Sequence, residues 1–175
     1  MCGRWPRHAL PLEPGENADA AQADLVVVAT PWESAAPTAQ LYADALAGKV
    51  VVSMANALVR VGREFQALVL PRGSVAAHVQ AVLPRSSVVA AFHHLPAREL
   101  ADLDEPVRSD VLICSDEPSA TRAVADVVDK IPGCRSLDAG SLSHATAIET
   151  LTAVLLQLNV RYKTRVAPTF TGIDR

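Results

Sequence analysis

An α/β fold with a doubly wound, mostly parallel sheet and a long C-terminal helix is what this sequence predicts, on three observations. Short Val-rich runs (Leu25 to Thr30, Val50 to Ser53, Val88 to Phe92, Val111 to Ser115) alternate with Ala-rich stretches of helical character. Those runs are apolar throughout rather than alternating, as strands covered on both faces are. Two of them stop at small or polar residues over a helix start or loop, Ala29-Thr30-Pro31-Trp32 and Ser53-Met54-Ala55-Asn56. Strand ends of that kind are where doubly wound sheets build a ligand crevice.

Composition narrows the classes. The chain has 175 residues, half of them hydrophobic, which is enough for one domain with a real core. A net charge of −3 supplies no basic field for nucleic acid. No apolar run approaches the roughly 20 residues of a membrane span. The first dozen residues lack the apolar centre of a signal peptide, so a cytoplasmic protein is expected. Three cysteines (Cys2, Cys114, Cys134) without paired spacing argue against a disulfide framework or a zinc knuckle. Cys114, inside Val111-Leu112-Ile113, reads as a small core residue.

In chain order, residues 1–16 read as an irregular tail and 17–175 as the folded domain. The tail holds three prolines and two glycines without periodicity. Asn17 to Ala23 suits a short helix leading into the strand at Leu25. Glu33 to Ala47 favours helix, with Pro37 in its first turn and Gly48 as its left-handed stop. Val59 to Gly73 reads as loop. Ser74 is an N-cap for Val75 to Leu83, which Pro84 closes. A helix before Pro132-Gly133 places Ala120, Val124, Val127, Val128 and Ile131 on one face. Cys134 to Asp138 is a short strand. From Leu142 or Ser143, a helix of about twenty residues carries the stripe Ile148, Leu151, Thr152, Leu155, Leu158 and Tyr162. A helix this long and apolar is expected both to cap the sheet and to pair with a second copy, giving a homodimer.

The candidate ligand residues each have a plain structural alternative. Thr30-Pro31 suits close approach of a ligand to a stiffened turn, and equally a helix start with Pro at its first position. Trp32 can stack on a flat ring or pack on its own helix. Asn56 can bond a ligand with its amide or cap a helix. His93 and His94 end a strand, and adjacent side chains diverge, so at most one faces a crevice. As a metal site the pair is incomplete. Gly140-Ser141 resembles a close-approach turn whose amides bind an anion, or a simple N-cap. Arg161, Lys163 and Arg165 form a basic cluster at the end of the long helix.

The order of motifs resembles the NADPH-dependent coenzyme F-420 (F420) reductases. The match runs from Ala29-Thr30-Pro31-Trp32-Glu33 through Gly48-Lys49-Val50-Val51-Val52-Ser53 and Asn56-Ala57-Leu58. It continues in Phe92-His93-His94-Leu95-Pro96-Ala97, Lys130-Ile131-Pro132-Gly133 and Leu137-Asp138-Ala139-Gly140-Ser141-Leu142. It ends at Leu158-Asn159-Val160-Arg161-Tyr162-Lys163, and so spans about residue 17 to residue 163. The resemblance implies a Rossmann-type domain, with NADP(H) and the 8-hydroxy-5-deazaflavin coenzyme F420 exchanging a hydride. It places Ala29, Thr30, Pro31, Trp32, Asn56 and Ala57 beside the dinucleotide. His93 or His94 would meet the deazaflavin edge, and Gly140 and Ser141 its phosphate tail. No nucleophile, no metal and no macromolecular partner beyond a second copy is implied. Such reductases open with a strand and glycine-rich turn, then a Ser-Arg pair for the NADP 2′-phosphate. Neither motif occurs here, and the eight glycines are scattered singly, so no residue is assigned to that phosphate. The sequence therefore reads as an N-terminally truncated reductase. The alternative is a catalytically incompetent remnant acting as a folded dimerisation module. A hydrolase using His93 or His94 has neither a Gly-x-Ser-x-Gly nor a Cys-His framework behind it.

Overall fold

Residues 13–102 and 104–173 are described by the computed structural model. After α1 (Asn17–Ala20) come β1 (Leu25–Val28), α2 (Trp32–Leu41), β2 (Val50–Ser53), β3 (Leu58–Val61) and β4 (Glu64–Ala67). Then follow α3 (Val75–Val82), β5 (Ser87–Ala90), α4 (Ala97–Leu100), β6 (Ser109–Ser115), α5 (Pro118–Val128) and β7 (Cys134–Asp138). A 3-10 turn (Leu142–His144) leads into α6 (Ala145–Tyr162).

The main sheet has the order β1-β2-β5-β6-β7. β1, β2 and β5 are parallel, as are β6 and β7, while β5 meets β6 antiparallel through Val89–Ser115 and Ala90–Cys114. The sheet is thus mostly parallel, as the sequence predicts. The one reversal has a cause in the chain. Between β5 and β6 lies only the four-residue α4, not a crossover helix long enough to return the chain to its starting end.

Alternation along the strands sorts the core into two layers. Val28, Val51, Val88, Ala90 and Cys114 face one side, against Ala35 and Ala39 of α2, Val75 and Val79 of α3, and Ile148 of α6. Val52, Val89, Val111 and Ile113 face the other, against Ala120, Val124 and Val128 of α5. Cys114 is fully buried, as expected of a core residue, and burial, with a smaller contribution from Asp138, pushes its thiol up to about 11. Register sets Val28, Ser53 and Ala90 level with one another. The segments that follow them therefore gather at one end of the sheet.

Several expectations change. Residues 1–12 of the predicted tail, with Cys2, lie outside the described residues, and 13–16 hold no regular element. α2 starts at Trp32 and stops at Leu41, so Pro37 sits inside it rather than in its first turn. Pro37 has no N–H to offer back, and the chain continues to Gly48 as turns. Gly48 does adopt the expected left-handed φ of +77°. The predicted loop after Val59 is instead the β3–β4 hairpin, turning at Gly62-Arg63. The alternating Glu64-Phe65-Gln66-Ala67 run of its second strand carries the period-2 signal. On α5, Thr121 is buried and Val127 faces outward at 39% exposure. On α6 the buried face is Ala145, Ile148, Glu149, Thr152 and Ala153. Tyr162 is 70% exposed, so the predicted stripe is rotated toward Glu149.

Candidate functional site

The ends of β1 and β2 enclose a cleft of about 340 Å³ lined by Ala29, Thr30, Pro31, Trp32, Met54, Ala55 and Asn56. Five of those seven are residues the sequence singled out. Pro31 caps α2 with φ −50°, holding the turn rigid. A second cavity of about 280 Å³ shares Ala29 and Thr30 and runs beside β1 past Asn17, Ala20, Thr38 and Tyr42. Among the described residues β1 has a strand partner on one side only.

Polar atoms at this end of the sheet are buried and unpaired. Thr30 Oγ1, Ser53 Oγ and Asn56 Oδ1 have no hydrogen-bond partner. A buried unpaired donor or acceptor costs about 1–3 kcal/mol. Two of the three belong to residues that line the cleft, Thr30 and Asn56, while Ser53 is fully buried outside its lining, which makes the cleft a candidate ligand site.

β5 contributes its end through a left-handed residue. Phe92 has φ +66°, a conformation costing about 1–2 kcal/mol for a residue with a side chain. The turn brings the His93 carbonyl between two donors, Asn56 Nδ2 at 3.0 Å and Thr152 Oγ1 at 3.1 Å. The His93 ring is buried with both nitrogens unpaired. Burial, then the neighbouring His94, lowers its pKa to about 3. Glu149 Oε1 lies 3.8 Å from His93 Nε2. That spacing is within ion-pair range, yet burial raises Glu149 to about 7 against the opposing pull of the Val75 and Ala76 N–H groups. With His93 uncharged at neutral pH, the contact is not a salt bridge. The Glu149 carboxyl accepts from Val75 N at 2.8 Å and Ala76 N at 3.1 Å, taking two orphan donors in the first turn of α3. Ser74 Oγ accepts a third, from Ala77 N. Gly73 makes the approach of α6 to α3 feasible: its φ is +87°, and a Cβ there would lie 2.7 Å from Thr146 Oγ1.

The remaining candidates are spread more widely. The His94 ring turns away, with Nε2 donating to the Asp110 carbonyl at 2.7 Å. Burial lowers its pKa, and that hydrogen bond opposes the shift. Neither histidine ring lines the cleft. Ala57 is a buried core residue whose carbonyl receives Leu68 N of the hairpin segment. Gly140 and Ser141 follow β7, at the opposite edge of the sheet from β1. Gly140 N already donates to Asp138 Oδ1 and Leu142 N to Asp116 Oδ1, so these two amides are spent on carboxylates rather than free for an anion. In the basic cluster, Arg165 is paired with Glu99. Ser53, Phe92, Glu149 and Thr152 were not legible as site residues. Glu149 did carry a signal, as the only acidic residue between Ser143 and Tyr162.

A largely parallel sheet with helices on both faces and a cleft at adjacent strand ends defines a Rossmann-type nucleotide-binding domain. Residues 7–57 match the family described as NADP oxidoreductase coenzyme F420-dependent. The chain is 38% identical to the F420-dependent NADP reductase of Methanocaldococcus jannaschii over 86% of its length and 69% of that protein. It is 32% identical to the one from Methanothermobacter thermautotrophicus, over 92% of this chain and 72% of the other. A solved structure from Arthrobacter sp. FB24, assigned as an F420-dependent NADP reductase, superposes with a TM-score of 0.75. Its identity is 25%, across 86% of this chain and 72% of that one. The chain belongs to the F420-dependent NADP reductase family.

Proposed function

We propose that this chain is an oxidoreductase that transfers hydride between NADP(H) and coenzyme F420, with the nicotinamide end of the dinucleotide in the cleft between β1 and β2. The observation that carries this is the set of unpaired polar atoms, Thr30 Oγ1, Ser53 Oγ and Asn56 Oδ1, at strand ends in a chain of this family. When bound, NADPH supplies the hydride and the deazaflavin accepts it. The chain's own work is to bind, orient and exclude water. Thr30 and Asn56 offer hydrogen bonds to the ring or its ribose. Pro31 fixes the turn against which a ring lies, and Ala29 and Ala55 leave room for close approach. The His93-His94 segment supplies backbone rather than an ionisable ring, because burial keeps His93 neutral. No side chain acts as nucleophile.

Activity is tested on the chain as it stands by following deazaflavin absorbance after addition of NADPH. Bleaching that requires both compounds is expected. A folded chain that neither binds NADPH nor bleaches the deazaflavin would overturn the proposal and favour the non-catalytic dimerisation module.

A homodimer through α6 is part of the same reading. Val154 and Val160 are 55% and 51% exposed on this helix, beside half-buried Leu151, Leu155 and Leu158. Light scattering after size exclusion is expected to give twice the chain mass. Among the described residues no helix is long and apolar enough to cross a membrane, which is compatible with the proposed cytoplasmic location.

A further inference from the structure

The cleft is held from behind by a helix that does not line it. Asn56, a residue of the cleft lining, uses its Nδ2 on the His93 carbonyl, which leaves Oδ1 as a buried acceptor without a protein partner. Thr152 Oγ1 donates to the same carbonyl. Glu149, three residues earlier on the same face of α6, stands against the His93 ring and ties that face to the first turn of α3. Both α6 side chains are buried, at 4% and 8% exposure. An amide side chain free to rotate presents donor and acceptor about equally, and its partners decide which end lies where. Here the partner on one end is a carbonyl, which only accepts, so the other end is the acceptor.

We propose that Glu149 and Thr152 are positioning residues that act through His93 on Asn56, so that its Oδ1 presents one hydrogen-bond acceptor to a donor N–H or O–H group of the bound nucleotide. The proposal rests on reading the cleft as the nucleotide site, but it also makes a demand on the ligand-free chain. The His93 carbonyl has two donors, and removing the one on α6 should loosen the other.

Thr152→Val removes the hydroxyl at nearly constant shape, and Thr152→Ser keeps it. In the ligand-free chain, 15N NMR of the Asn56 side-chain amide is expected to show one exchange-protected proton. That protection should fall in the valine variant and return in the serine variant. NADPH titration by fluorescence should show affinity about 3- to 10-fold weaker for the valine variant and restored for serine, with Tm changed by only a few degrees. A valine variant with wild-type Asn56 resonances would overturn the proposal. Wild-type chain that binds no NADPH, while its Asn56 signal still responds to Thr152→Val, would overturn the nucleotide reading and leave the positioning role standing. Should Thr152→Val fail to fold, Glu149→Gln gives the same test at equal size. The expected result is then a shifted His93 Nε2 resonance and a less protected Asn56 amide, and unchanged signals from both would refute the role.

Discussion

Two polar centres flank the sheet, and they are built on opposite rules. At the start of β6 and β7, Asp110 and Arg135 leave little unsaid. Arg135 Nε and Nη2 reach Asp110 Oδ1 and Oδ2 at 2.7 and 2.6 Å, a bidentate pair. Its guanidinium also donates to the Phe170 and Ile173 carbonyls. Phe170 N donates to Asp110 Oδ2, and Asp110 N to the Pro168 carbonyl. The C-terminal segment is thereby sewn to the sheet edge. At the ends of β1, β2 and β5 the polar atoms are as deeply buried, yet Thr30, Ser53, Asn56 and His93 each keep one or more unpaired. A saturated centre is a fastening, whereas an unsaturated one carries a stability cost that a group bonding those atoms would offset.

The largest effect should come from breaking the fastening. Asp110→Ala leaves the Arg135 charge without its buried carboxylate and frees residues 164–173. A fall in Tm of about 5–10 °C is expected, together with new proteolytic cleavage in that segment. An unchanged Tm and cleavage pattern would show that the pair is ornamental. At the crevice the order of effects should invert. Asn56→Ala is expected to weaken NADPH binding about tenfold while moving Tm by only a few degrees, measured by fluorescence titration and calorimetry. Equal affinity in the variant would remove Asn56 from the site.

A pH-dependent effect belongs to the buried pair behind the cleft. In an unfolded chain Glu149 titrates near its ordinary 4.5 and His93 near 6.5, while in the fold they move to about 7 and about 3. Between pH 4.5 and 6.5 folding therefore carries a proton from the imidazole to the carboxyl with no net uptake, and the pair gives stability no slope. Below that window His93 counts alone: stability present above 6.5 in its absence of charge is lost as pH falls toward 3. Above it Glu149 counts alone, and the stability held by its protonated form is lost as pH rises through 7. Glu149→Gln should uncover the first slope, with stability rising from pH 3 to 6.5. His93→Leu should uncover the second, with stability falling from pH 4.5 to 7. Each is at most about 1.4 kcal/mol per pH unit, read from denaturation across that range. Two variants with the wild-type profile would refute the pairing. Smallest of all, Thr30→Val replaces an unpaired hydroxyl by a methyl, and stability should stay level or rise by up to about 1 kcal/mol.

The sequence made the crevice legible because strand-end chemistry is local. A Val run ending in Ala29-Thr30-Pro31, and another ending before Asn56, already say where a parallel sheet opens. What stayed hidden depends on contacts across the chain. Thr152 meets the His93 carbonyl from 59 residues away, and Glu149 reaches α3 across 74. Thr152 does fall on the helical stripe and Glu149 is the one acidic residue of α6, but neither fact names the residue it meets. Phe92 reveals its left-handed turn only in three dimensions. The β3–β4 hairpin falls in a segment that reads as loop, although its Glu64-Phe65-Gln66-Ala67 run alternates. Gly140-Ser141 shows the converse: a motif that looks like an anion cradle has its neighbouring amides occupied by Asp138 and Asp116.

The most direct test of the contrast is a map of backbone amide shifts as NADPH is titrated into the 15N-labelled chain. Saturable shifts at Ala29, Thr30, Trp32 and Asn56, with Asp110, Arg135 and Phe170 unmoved, are the expected result. Saturable shifts centred on β6 and β7 with the β1–β2 cleft silent would contradict it, and would place the nucleotide somewhere other than at the unpaired polar atoms.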